Sequence, residues 1–101
     1  MPDLVRDSRS PESFSDQEPS FEVRLEIFDK WKNHNKFWHL VVHDNFVVRH
    51  WGRHGSKGQW SVHRAWNSWG AKTAAEDLVQ QKRRKGYKPQ ANVLDRFARE
   101  I

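Results

Sequence analysis

Apolar residues alternate along Phe21-Glu22-Val23-Arg24-Leu25-Glu26-Ile27-Phe28, so Phe21, Val23, Leu25 and Ile27 share one face and Glu22, Arg24 and Glu26 the other. Period two over this length predicts a half-buried strand. After a polar stretch, Lys36 to about His43 reads as a second strand with Trp38, Leu40 and Val42 in phase, and His43-Asp44-Asn45 as a tight turn. Phe46 to about Trp51 reads as a third, with Phe46 and Val48 expected on the core face and Trp51 out of phase with them. Gly52, Gly55 and Gly58 punctuate a loop before a fourth strand, Gln59 to Trp66, where Trp60, Val62 and Trp66 are expected to face the core with Trp38.

The period then changes to 3.6. Asn67 or Ser68 can cap a helix whose stripe is Ala71, Ala74, Ala75, Leu78 and Lys82. Lys82-Arg83-Arg84-Lys85 suits the negative end of its dipole, and Gly86 suits its C-terminal stop. Beyond Pro89, Val93, Leu94, Phe97 and Ile101 fall at helical spacing and suggest a short docking helix in an 89–101 extension. Beyond Met1, residues 1–20 hold only Leu4, Val5 and Phe14 as sizeable apolar groups and read as a disordered acidic leader. The fold class expected is α+β: a twisted antiparallel sheet of about four strands with one main helix on one face, spanning residues 21–88.

Composition narrows what such a fold can do. The 101 residues allow one core. All tryptophans lie between Trp31 and Trp69 and there is no cysteine, which excludes disulfides, zinc fingers and thiol catalysis. No stretch has the roughly 18 apolar residues of a membrane span, and the first residues lack the layout of a signal peptide, so a cytoplasmic protein is expected. Charge is segregated: residues 1–20 carry net −3 and residues 21–101 net +8. A basic body of this kind attracts polyanions.

The loop Trp51-Gly52-Arg53-His54-Gly55-Ser56-Lys57-Gly58-Gln59 carries the candidate chemistry. Arg53 can offer a guanidinium fork to phosphate, Lys57 a point charge, and Trp51, placed off the helix-covered face, a ring for stacking. Together with Asn35-Lys36-Phe37-Trp38, Val47-Val48-Arg49-His50, and Lys82, Gly86 and Tyr87, this framework resembles the WGR domain of poly(ADP-ribose) polymerases and bacterial proteins. The resemblance implies a sheet with one helix packed on it, standing alone as a module that binds DNA near a duplex end. It implies Trp51 against a terminal sugar, Arg53 on the backbone, and Asn35 and Gln59 as further contacts. Arg83, Arg84 and Lys85 form a secondary basic patch. The polymerase catalytic domain has no counterpart here, and no nucleophile–base pair or small-molecule substrate site can be named. His39 and His43, with His63 able to approach them, lack paired carboxylates, so neither a metal nor another cofactor is expected. The competing reading is an adaptor that docks onto a protein partner through the loop or through Phe97.

Overall fold

The computed structural model describes residues 4–29, 31 and 34–90. Its elements in chain order are β1 (Val5–Arg6), a 3-10 turn (Pro11–Phe14), β2 (Phe21–Asp29), β3 (His34–His43), β4 (Phe46–Arg53), β5 (Gln59–Arg64), α1 (Ser68–Arg84) and β6 (Lys88–Pro89). The strands form one antiparallel sheet of six in the order β1-β5-β4-β3-β2-β6. The four central strands fall where the alternation places them, and short β1 and β6 extend the sheet at its edges. Two-residue strands leave no readable period, which is why the pattern predicts only about four.

The turn between β3 and β4 takes its sharpness from Asp44, whose φ of 57° is a conformation aspartate tolerates better than most side chains. The Asn67 side chain accepts the Gly70 N–H at 2.7 Å and starts α1. Gly86, at φ 104°, ends it. Its N–H reaches the Arg83 carbonyl and that of Tyr87 reaches Lys82, which satisfies carbonyls the last turn leaves open.

Helix α1 lies on the face bearing Leu25, Trp38, Leu40, Val42 and Val47. Together with Ala71, Ala75 and Ala65 these make the main core, against which Leu78 and Trp51 pack. Alanines on the helix stripe let α1 approach the sheet closely enough to bury Trp38 to 3% exposure.

Three expectations fail here. Phe46 and Val48 belong to the opposite face, because the in-phase apolar set of β4 facing α1 is Val47 and Trp51. Strand β4 has apolar residues on both faces, so alternation cannot say which one the helix covers. Trp51 is therefore half-buried on the helix side rather than turned away from it. Trp66 lies past the end of β5 and is 97% exposed, while Trp60 is 49% exposed on the face away from the helix.

Where it is described, the acidic leader packs on the sheet. Val5 and Arg6 pair with Arg64 and His63 on β5, and Asp7 continues the edge through its N–H to the Val62 carbonyl. Phe14 is buried to 4% exposure against Val48, Val62 and Phe46, and stacks on His43 at 5.3 Å. One aromatic residue suffices for this because the sheet offers an apolar patch on its second face, which a composition average does not register. The expected docking helix around Phe97 lies outside the described residues.

Candidate nucleic-acid interface

A groove of about 380 Å³ opens on the helix side of the sheet, between α1 and the β4–β5–β1 edge. Pairing sets its floor: Arg49 lies opposite Ser61, Trp51 opposite Gln59, and Arg6 opposite His63. Arg6, Arg49, Trp51, Gln59, His63 and Lys82 line it, and no carboxylate does so among the described residues.

The charges in this groove are held at an energetic cost. Burial pushes the Arg49 pKa down, and its Nε is buried without a hydrogen-bond partner while Nη2 donates to His63 Nδ1 at 3.4 Å. Burial likewise lowers His63, helped by the neighbouring cations Arg49 and Arg6, so its imidazole is neutral at physiological pH. Lys82 is lowered by burial and then by Lys85, Arg49 and Lys36. Its ammonium lies 5.9 Å from the Trp38 ring centre and 5.1 Å from that of Tyr87. Beyond Lys82 a second hollow of about 260 Å³ is lined by Ile27, Lys36, Lys82, Lys85 and Tyr87. Lys82 is thus shared by two adjoining basic recesses, each able to hold phosphate oxygens.

The residues proposed from sequence divide between locations. Trp51 and Gln59 enter the main groove and Lys85 the second hollow. Arg53 is exposed at the end of β4, opposite Lys36 in the register and two residues beyond Trp51, so it extends the same face. Its carbonyl accepts both the N–H and the hydroxyl of Ser56, which closes the loop. Lys57 is exposed at the loop, tied by its carbonyl to His50 Nε2 at 2.7 Å. Asn35 faces the other way: its pairing with Phe28 puts it on the sheet's far side, apart from the groove. Arg83 and Arg84 are exposed on the last turn of α1 and line neither recess.

Sequence reasoning missed Arg6, Arg49 and Lys36 as lining residues, and placed Lys82 only on the helix stripe and in its C-terminal basic run. Arg49 was visible as the helix-face partner of Trp51 at i−2, but only with the phase of β4 known. Arg6 had no signal, since nothing local marks its pairing to β5. The histidines also separate. His39 and His43 point away from the helix and His63 toward it, so the three do not converge. Glu22 lies 3.4 Å from His39 and Glu26 3.6 Å from His54, and no group able to hold a metal ion forms among the described residues. No helix among them is long and apolar enough to cross a membrane.

Comparison with known proteins agrees with this architecture. The chain is 30% identical over 78 residues to an uncharacterized protein, y4dW, of Sinorhizobium fredii, a match covering 72% of this chain and 38% of that protein. A crystal structure of a Bacteroides fragilis protein superposes with a TM-score of 0.65 at 26% identity, over 80% of this chain and 22% of the other. The matched region therefore spans well under half the length of either relative. The family model of the WGR domain matches residues 21–93. With the Trp51-Gly52-Arg53 loop at the end of β4 and one helix packed on the sheet, the chain belongs to the WGR domain family, small binding domains known for nucleic-acid recognition.

Proposed function

We propose that this WGR domain binds DNA near a duplex end, without sequence readout and without chemistry of its own. The observation that carries the reading is the groove beside α1, where Arg6, Arg49 and Lys82 converge around Trp51 with no carboxylate among its lining. Burying cations with no counter-charge lowers their pKa and costs stability, and a polyanion restores that cost on binding. Arg49 keeps a buried Nε donor without a partner, a group suited to a phosphate oxygen. Trp51 lines the same groove and is half-buried there, an aromatic ring suited to a terminal sugar or base. Contacts of this type fix register on the backbone and carry no sequence information.

The test is fluorescence anisotropy with a labelled blunt duplex, single strand and RNA of equal length at two salt concentrations. Duplex binding should weaken steeply with salt. Arg6→Gln and Arg49→Gln should each flatten the salt slope by about one phosphate contact. Loss of Arg53 should act in the same direction, and Lys57→Ala more weakly, because an ammonium lacks the bidentate fork. Unchanged affinity in both Arg6→Gln and Arg49→Gln would place the contact elsewhere.

One observation favours a protein partner instead. Trp66 and Trp69 flank the start of α1 and are 97% and 72% exposed. An adaptor docking through them would bind in a salt-tolerant manner and lose its partner on Trp66→Ala.

A further inference from the structure

The face of the sheet turned away from α1 is covered at one end only. There Phe14 closes over Val48, Val62 and Phe46. At the other end five rings run side by side across four strands. Phe28 stacks on His54 at 5.0 Å, His54 meets Phe37 edge-on at 5.9 Å, Phe37 meets His50 at 4.8 Å, and His50 stacks on Trp60 at 3.9 Å with planes only 7° apart. The ribbon ends in two open rings, Phe28 on β2 and Trp60 on β5. Phe37 and His50 have room beside each other because Gly58 carries no side chain. A Cβ on Gly58 would lie 2.9 Å from both Phe37 Cζ and His50 Nε2.

The two open ends differ. Beside Phe28 stands Glu26, 3.6 Å from His54, and Glu22 lies farther along the same strand. An acidic margin repels a nucleic-acid backbone. Trp60 has no carboxylate beside it in the register: its row is Trp60, His50, His39 and Arg24. Trp60 also occupies a stretch of β5 that β1 leaves unpaired, since β1 matches only Arg64 and His63. Its chain neighbours Gln59 and Ser61 face the basic groove, and Trp60 itself reaches the groove rim. One residue therefore joins the two faces at the open edge.

We propose that Trp60 is the first stacking seat for a single-stranded extension that leaves the groove over the β5 edge, so that the domain prefers duplex ends with an overhang to blunt ends. This rests on the groove reading above. One face of the Trp60 indole is taken by His50, and no ring stacks on the other among the described residues. An unpaired base laid there continues the stack His50–Trp60–base. Stacking accepts any base, which matches a site without sequence readout. An unpaired base of an overhang can turn onto Trp60 without the unpairing cost that a base drawn out of a duplex must meet.

The experiment compares the affinity of the intact chain for a blunt duplex with that for the same duplex carrying a thymidine extension of about six nucleotides, on either strand. Extension on one strand should tighten binding by about 5- to 100-fold, the scale of one base–aromatic stack. In Trp60→Ala the ratio of extended to blunt affinity should fall to about one, and Trp60→Phe, which keeps a ring, should retain most of it. A thermal melt of each variant separates loss of stacking from loss of fold. Equal affinities for blunt and extended duplexes in the wild-type chain overturn the overhang preference and leave the groove reading standing. A ratio that survives Trp60→Ala overturns the seat. Failure to bind any duplex overturns the groove reading and this one with it.

Discussion

Glycine 58 shows how closely the loop after β4 is built. Its φ is +71°, and a Cβ there would lie 2.5 Å from the Trp51 carbonyl oxygen. Gly58→Ala combines backbone strain with a clash against main chain that cannot rotate away, and should cost about 2–4 kcal/mol. Gly55, at φ +87°, has open space around it, so Gly55→Ala should cost only about 1 kcal/mol. Urea melts of the two variants check the contrast, and equal losses would show that strain rather than the close approach dominates. A second contrast separates two tryptophans that sequence alone treats alike. Trp38, opposite Trp51 and 3% exposed, should lose about 3–5 kcal/mol on truncation to Ala, whereas Trp66, 97% exposed, should change stability by under about 0.5 kcal/mol. Both stand at in-phase positions of an apparently alternating run, Trp38 with Leu40 and Val42, Trp66 with Trp60 and Val62. Only Trp38 lies on a strand under α1.

Among the elements, the segment before β2 is the least expected. It supplies an edge strand, an Asp7–Arg64 ion pair at 3.6 Å, the Phe14 plug and one groove cation, Arg6. Arg9 adds its guanidinium 4.6 Å above the Phe46 ring. Deleting residues 1–20 should lower the melting temperature clearly, and Phe14→Ala alone should cost about 3 kcal/mol. An unchanged melt on deletion would show that these contacts contribute nothing in solution. The central strands and α1 were legible because each has a sustained period and a recognisable stop: Asp44 at the turn, Asn67 at the helix start, Gly86 at its end. The edge strands were not, since pairing of two residues depends on what the rest of the sheet leaves open.

For the molecule as a whole, histidine burial ties stability to pH. His39 and His43 are both pushed below the ordinary imidazole range, chiefly by burial, with Arg24 adding to His39. The folded state holds them neutral, while the unfolded chain takes up protons near pH 6.5. The stability they contribute is therefore complete above about pH 6.5 and is lost as the pH falls through the lower folded-state values. Melts at pH 7.5 and 5 should show the decline, and His43→Phe, which keeps a ring against Phe14, should make it shallower. Binding should run the opposite way with pH. His63 is neutral in the free groove between Arg49 and Arg6, so phosphate at that place raises its pKa and affinity should grow on acidification, an effect absent in His63→Gln. Sequence by itself determined the family, the four long strands, the helix with its caps and the basic character of the body, because period, turn chemistry and motif spacing are local quantities. It also named Trp51, Gln59 and Lys85 as candidate contacts, with Trp51 expected off the helix-covered face and Lys85 in a patch with Arg83 and Arg84. The structure instead sets Trp51 and Gln59 in the groove on the helix side and Lys85 in the second hollow. Only the tertiary structure decided which face of the sheet α1 covers. A strand with apolar side chains on both faces, such as Phe46 to Trp51, can bury either, and the choice follows from packing the alanine stripe against Trp38 and Val47. That choice turned Trp51 and Arg49 into one groove with Arg6 and Lys82, moved Asn35 to the far side, and left Trp60 open at the edge.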